Sequence, residues 1–376
     1  MTLPIKMVKS IIINQYQSKR SLMDNHGLHT FNEIMSQPSV WQATLEELSP
    51  QLDPLAQLWA EEQFEQVIFT GCGSPYYLAL TGAALFQSLT KIPSQAYPAS
   101  EIVLFPDMVF TPYKKILLIA ISRSGETTET IEAVEEFQRR GYSHVLSITC
   151  HADTRLTRTT QHALVARHAH EHSIAQTRSF SSMAVLVLAL AELVSRANTD
   201  LTPLVPAVDQ LLTTYQGLAR HYGEATHIER FFFLGSGPQH GIAREAMLKM
   251  KEMSLAYSEA YHTLEFRHGP MSMVNEHTLV IGLVSEEAAQ QELAVLADMR
   301  RHGAHTLTIV DQLTEDADEP PNQTIVLNSQ LPAWARVILY LPVLQLLSYY
   351  KAMASGLDPD RPTNLDAVVL LKSLRS

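Results

Sequence analysis

The chain has 376 residues and a net charge of −11 at pH 7, with 28 Lys and Arg set against 39 Asp and Glu. At roughly 150 residues per domain that length fills about two domains, and the acidic balance argues against nonspecific binding to nucleic acid or to an anionic membrane. Hydrophobic residues at 46% and charged residues at 18% describe an ordinary globular chain, and two cysteines, Cys72 and Cys150, are too few for a disulfide framework and fit a reducing, cytoplasmic setting.

At the start of the chain, Ile11 to Ile13 is too short for the apolar region of a secretory leader, and no small-residue cleavage site follows. Residues 1–52 read as a lead followed by an amphipathic helix, because Ile34, Val40, Trp41, Leu45 and Leu48 recur near a 3.6 period. Val67-Ile-Phe-Thr-Gly-Cys-Gly-Ser74 is then an apolar strand that turns on Gly-x-Gly into a helical pattern. A second apolar run, Lys115 to Ile121, leads through Ser122-Arg-Ser-Gly-Glu-Thr127 into a helix from Thr128 to Arg140, and a third run, His144 to Thr149, closes the half.

The order then repeats. Phe231-Phe-Phe-Leu-Gly-Ser-Gly-Pro238 corresponds to the first run, Thr278 to Val284 to the second, and Thr306 to Val310 to the third. Between the halves, Leu201, Leu204, Val205, Val208, Leu211, Leu212 and Tyr215 keep helical spacing, so the boundary runs along a helix. Leu331 to Ala354 reads as one long apolar helix. Met183 to Val194 and Val337 to Leu347 are interrupted by Glu192 or Pro342 and fall short of the roughly 20 residues of a membrane span. Strands alternating with helices at this spacing imply parallel sheets covered on both faces. The expected architecture is α/β, two tandem doubly wound, flavodoxin-like domains at 53–200 and 201–360, with a lead at 1–52 and a tail at 361–376.

Three groups of residues carry chemistry. In Ser122 to Thr127 a strand enters a hydroxyl-rich turn that opens a helix, which gathers free N–H groups, hydroxyls and the positive end of a helix dipole. Such a turn can hold a phosphate, or it can be a plain capping cluster with Ser124 as the cap; Gly71 to Ser74 alone is a common strand-end turn. Glu245, Lys249 and Glu252 fall at i, i+4 and i+7, on one helix face beside a stripe of Ala246, Met250, Met253 and Tyr257. That face is either a solvated row of salt bridges or a catalytic row in which a carboxylate moves a proton and the lysine steadies an oxyanion. His268, in the loop Glu265 to Pro270, is either structural or a proton exchanger. His168, His170 and His172 would share one face of a strand and invite a metal, but no fourth ligand is evident. No metal or other cofactor is expected.

Taken together, Ser122 to Thr127, Gly71 to Ser74, Leu248-Lys-Met-Lys-Glu-Met-Ser254 and His268-Gly269-Pro270 resemble the double sugar isomerase (SIS) domain family over about residues 30–366. Nearest in pattern are the isomerase half of glucosamine-6-phosphate synthase and the related amino-sugar-phosphate isomerases and deaminases. The resemblance implies that Ser122, Ser124 and Thr127 bind a sugar 6-phosphate, with Arg123 where the family has Gln. It places Ser74 against the sugar, followed by Pro75 instead of the usual Ser, and makes Ala175 and Gln176 part of a sugar-lining loop. Glu252 becomes the isomerase base with Lys249 and Glu245 as companions. His268 becomes a ring-opening group that reaches the site of a neighbouring subunit, which implies a homodimer.

Two departures bear on the reaction. The chain starts Met1-Thr2-Leu3 without the synthase's glutamine-hydrolysing domain, and Ala367 stands where the family's imine-forming lysine follows Asn364-Leu365, with Lys372 five positions too late. Glutamine-dependent amination is therefore not expected. The leading expectation is an enzyme that converts a hexosamine 6-phosphate into a ketose 6-phosphate and ammonia through ring opening and an enolamine. Plain aldose–ketose isomerisation is the alternative, as is a noncatalytic phosphosugar sensor. A sensor that regulates transcription needs a DNA-binding head, and residues 1–52 balance Lys6, Lys9, Lys19 and Arg20 against Asp24, Glu33, Glu46 and Glu47.

Overall fold

The apolar runs become the central strands of two parallel sheets in a computed structural model that describes residues 26–110, 112, 114–313 and 323–374. Ile11 to Ile13 and the basic residues Lys6, Lys9, Lys19 and Arg20 lie outside the described residues. The first sheet holds β1 (Gln66–Gly71), β2 (Ser94–Pro98), β3 (Ile116–Ile121), β4 (Val145–Thr149) and β5 (His162–Val165) in the order β2-β1-β3-β4-β5. The second holds β6 (Arg230–Gly235), β7 (Tyr257–Tyr261), β8 (Thr278–Leu283), β9 (His305–Val310) and β10 (Gln323–Val326) in the order β10-β9-β8-β6-β7. Read from the other edge, the second order is the first again, so the sequence repeat is a repeat of topology. In each sheet the order reverses beside the first strand, and that is where open α/β sheets place their ligands, beyond the carboxyl ends of the strands.

Alternation along β6 shows how the core is divided. Phe231 and Phe233 enter a cluster that also contains Val67, Phe69 and Ile119 of the first sheet, whereas Phe232 and Leu234 face an outer cluster with Val280 and Leu296. One apolar core therefore joins the two sheets, filled by the helices Arg178–Ser195, Leu204–Glu224 and Pro342–Ala354. Arg178–Ser195 and the stretch Val337–Ala354 are each long and apolar enough to cross a membrane by length and composition, longer than the sequence runs suggested, and 78% of each is buried inside the fold.

A helix spans Leu204–Glu224, as the spacing of its apolar residues predicts. Several expectations need correction. The predicted helix over Ile34 to Leu48 is two, Leu28–Met35 and Gln37–Glu46, because Pro38 sits at the start of a helix, where its missing N–H costs nothing. Pro342 acts in the same way: Leu331 to Ala354 is not one helix but a 3-10 turn, Val337–Tyr340, followed by Pro342–Ala354. Tyr257 belongs to β7 and not to the helical stripe. The edge strands β2, β5, β7 and β10 are short and only partly buried, so their sequences lack a continuous apolar run.

One close approach sets the site. The helix Ser74–Thr90 of the first half crosses Gln239–Ser254 of the second at Gly241, where a Cβ would lie 2.3 Å from Thr81 Oγ1 and 2.5 Å from the Tyr77 carbonyl oxygen. Only glycine permits that contact. Thr81 Oγ1 also donates to the Pro238 carbonyl at 3.0 Å, which ties the two helices at the same point.

Candidate active site

The carboxyl ends of β1 and β3 deliver the two turns. Gly73 and Gly125 have φ of +61° and +65°, the left-handed region, and a Cβ on Gly125 would sit 2.3 Å from Thr154 Oγ1. The turn after β3 braces itself. Ser122 Oγ accepts from the Gly125 N–H at 3.1 Å and lies 3.2 Å from Thr127 Oγ1, and Ser124 Oγ accepts from the Glu126 N–H at 3.1 Å. The cap of the helix Thr128–Arg139 is Thr127 and not Ser124, and the Thr127 side chain makes no capping bond. The hydroxyls thus gather around an uncapped helix start, which favours the anion-holding reading of this turn.

Across the cavity stands the charged row of Gln239–Ser254. Glu245 and Lys249 are wholly buried, and the Glu252 side chain is 18% exposed. The solvated-face alternative is thereby overturned, because Gly241 presses this face onto the first half. Lys249 Nζ lies 3.4 Å from Glu245 Oε1, pairs with Glu252 Oε2, and donates to Ser74 Oγ at 3.3 Å. Ser74 Oγ in turn donates to Glu245 Oε1 at 3.0 Å. Glu245 Oε2 is buried without a hydrogen-bond partner among the described residues. Burial pushes the Glu245 carboxyl up to about 8 against the pull of Lys249. For Lys249, burial works downward but the two glutamates outweigh it and hold the ammonium above its ordinary range. Two ionisable groups buried this deeply are tolerable because Lys249 is paired with Glu245 and with the partly exposed Glu252.

Two further walls complete the cavity. The loop Ile174 to Gln176 is anchored by Glu171, whose carboxylate accepts from the Thr177 N–H at 2.7 Å, Thr177 Oγ1 at 2.8 Å, the Ser179 N–H at 3.2 Å and Ser179 Oγ. The last wall is the tail segment Leu365 to Val369. Together they enclose about 200 Å³, bordered by Ser74, Arg123, Ser124, Thr127, Ala175, Gln176, Lys249 and Glu252. Ser122 and Glu245 stand immediately behind this lining, bonded to Thr127 and to Ser74 and Lys249 respectively. A larger open groove of about 960 Å³ along the outside of Ser74–Thr90 has Lys91 as its one charged residue, so the smaller cavity is the candidate site.

Not every expected residue arrives. His268 lies exposed between two 3-10 turns and does not line the cavity of its own chain. The segment with His168, His170 and His172 is irregular chain and not a strand, the strand being β5 just before it. Its histidines diverge: His168 bonds Glu47, His170 bonds the Cys150 carbonyl at 3.0 Å, and His172 packs its ring on His29. Sequence reasoning misses Glu171, which anchors the loop that follows it and meets Arg123 from 48 residues away, and Glu129, a first-turn residue of Thr128–Arg139 that lines the cavity. The sequence also gives no sign that the tail forms a wall.

An anion site facing a carboxylate paired with an ammonium, in a small cavity, can hold a ligand by a phosphate at one end and move a proton at the other. Comparison with known proteins bears on the family. A sequence model of the SIS domain matches residues 62–193 and 226–351. A glutamine–fructose-6-phosphate aminotransferase (isomerizing) of Caldanaerobacter subterraneus is 28% identical over 317 residues, 81% of this chain and 51% of the relative. The chain thus spans about half the length of that curated relative. Among solved structures, glucosamine-6-phosphate deaminase from Thermotoga maritima aligns with a TM-score of 0.74 and 29% identity, covering 91% of this chain and all of that one. The C-terminal domain of glucosamine-fructose-6-phosphate aminotransferase from Francisella tularensis aligns with a TM-score of 0.77 and 25% identity, over 89% and 98% of the two chains.

Proposed function

Because the chain belongs to the sugar isomerase (SIS) domain family, we propose that it is a phosphosugar enzyme that converts a hexosamine 6-phosphate and water into a ketose 6-phosphate and ammonia. The observation that carries the reading is the row of buried Glu245, buried Lys249 and cavity-lining Glu252 facing the Ser122 to Thr127 turn across one cavity. The phosphate sits at the turn, held by Ser124, Thr127 and backbone N–H groups, with Ser122 bracing Thr127 from behind. The sugar's C1 and C2 then lie toward Glu252.

Once the ring is open, Glu252 takes the proton from C2 of the aldehyde, giving an enolamine, and returns a proton to C1. The C1 carbonyl is reduced to a hydroxymethyl group and C2 is oxidised to a ketimine, so no external redox partner is needed. Water adds to the ketimine carbon and ammonia leaves. The ammonium of Lys249 steadies the negative charge that develops on the C1 oxygen. Ring opening falls to His268 of a second copy, since His268 is exposed and away from its own cavity, which makes the enzyme a homodimer.

Ala367 supports deamination over glutamine-dependent synthesis, because Lys249 is the one lysine lining the cavity among the described residues and its Nζ is held between Glu245 and Glu252. Plain aldose–ketose isomerisation uses the same groups and is the second reading. A panel of sugar 6-phosphates, assayed for ammonia and for ketose with and without glutamine, separates them. Ammonia from glucosamine 6-phosphate, independent of glutamine, supports the first reading. Inert amino sugars with conversion of a neutral aldose phosphate would replace it by the second.

A further inference from the structure

Arg123 follows Ser122 in the anion-holding turn, yet its guanidinium is spent elsewhere. Nη1 donates to the Ile174 carbonyl at 2.9 Å and lies 3.4 Å from Glu171 Oε2, while Nη2 donates to the Ala367 carbonyl at 2.9 Å. The side chain is only 11% exposed. Both terminal nitrogens are therefore committed to two carbonyls and a carboxylate, on two different walls of the cavity. Only a planar fork can span such a set, since an ammonium is a point charge and an amide offers a single donor group.

The tail is also attached further along the chain, where Leu374 packs against the apolar cluster of Ile131 and Phe137. Leu371 N–H donates to Thr128 Oγ1 at 3.1 Å and Leu374 N–H to Glu132 Oε2 at 3.0 Å, both beyond the wall segment. Leu365 and Val368 are half-buried, but Val369, Leu370 and Leu371 are 50%, 70% and 45% exposed, so burial does little to hold the chain from Val369 onward. Beyond the wall is a second cavity of about 150 Å³, lined by His151, His170, His172 and Ser173. It shares Arg123, Ser124, Ala367 and Val368 with the first. The contact between Arg123 and Ala367 is thus a partition between two cavities.

We propose that Arg123 is a positioning residue that fastens the tail to the loop Ile174 to Gln176, closing the ligand cavity on its sugar side and excluding the second cavity from it. Glu171 is the fixed end of this clamp, because its own hydrogen bonds to Thr177 and Ser179 do not involve the tail. Arg123 shapes the pocket and leaves the phosphate to the hydroxyls and N–H groups of the turn. The proposal rests on the phosphosugar reading for its ligand alone.

The test compares wild type with Arg123→Ala, Arg123→Lys and Arg123→Gln in the full chain. Amide hydrogen exchange is measured without ligand, and binding of fructose 6-phosphate and of inorganic phosphate by calorimetry. Exchange in peptides spanning 365–374 is expected to rise by about tenfold in Ala and Lys, with Gln between them and wild type. Fructose 6-phosphate affinity should fall by about tenfold while inorganic phosphate changes by less than about threefold. Unchanged tail exchange in a folded Ala or Lys variant overturns the proposal, and so does equal weakening of both ligands, which would make Arg123 a phosphate ligand. If Ala does not fold, Lys and Gln decide by the same readings. Failure of wild type to bind fructose 6-phosphate would count against the phosphosugar reading, while the exchange measurement still judges the clamp.

Discussion

Replacing Glu245 by Gln tests whether the buried row holds a proton at neutral pH. Its carboxyl is raised from an ordinary 4.5 to about 8, chiefly by burial. A raised carboxyl favours folding most when it is protonated in both states, so its contribution is complete below about pH 4.5 and is lost as pH climbs toward about 8. At about 1.4 kcal/mol per pH unit, that loss is on the order of 5 kcal/mol at most. Gln keeps the shape and the bond from Ser74 but has no proton to lose. All other titrating groups are common to the two proteins, so the difference between them isolates Glu245. Urea unfolding followed by circular dichroism, from about pH 5 to about pH 8, should show the Gln variant gaining steadily on wild type. Unfolding midpoints that stay parallel across this range would refute the reasoning, and would mean that Lys249 keeps Glu245 ionised at an ordinary pKa.

Glu252→Gln should lower turnover by roughly 10² to 10⁴ while leaving phosphosugar binding intact, measured by steady-state kinetics beside calorimetry; undiminished turnover would remove Glu252 as the base. Ser124→Ala should weaken 6-phosphate sugars by about 1 to 3 kcal/mol and leave unphosphorylated sugars unaffected, whereas equal weakening of both would indicate a damaged turn. Mixing inactive Glu252→Gln with inactive His268→Ala subunits should restore activity, because a mixed dimer has one site with both native groups; a fully active monomer in solution would contradict the shared site.

The two sheets are legible because their central strands are buried on both faces and read as largely apolar runs, broken only by small hydroxyl residues such as Ser147, Thr306 and Thr308. Phe231 to Leu234 could be assigned without knowing which ring faced which cluster. The edge strands leave no such trace, since in Tyr257 to Tyr261 only Ser258 is fully buried, and Tyr257 consequently passes for part of a helical stripe. The charged row was visible as a spacing, yet its burial was not. Gly241, four residues before Glu245, makes that burial possible, and a glycine in a helix reveals nothing about what presses on it. Arg123 was legible only as an unusual residue in a turn, because its partners, Glu171, Ile174 and Ala367, lie 48, 51 and 244 residues away in sequence.

The central claim is that Glu252 carries a proton from C2 of an amino-sugar 6-phosphate. Glucosamine 6-phosphate deuterated at C2, followed by NMR, tests it directly. Wild type should release ammonia and yield a ketose 6-phosphate whose label has moved to C1 or into water, and Glu252→Gln should leave the label at C2. Label retained at C2 during wild-type turnover, or lost equally fast in the Gln variant, would contradict the account.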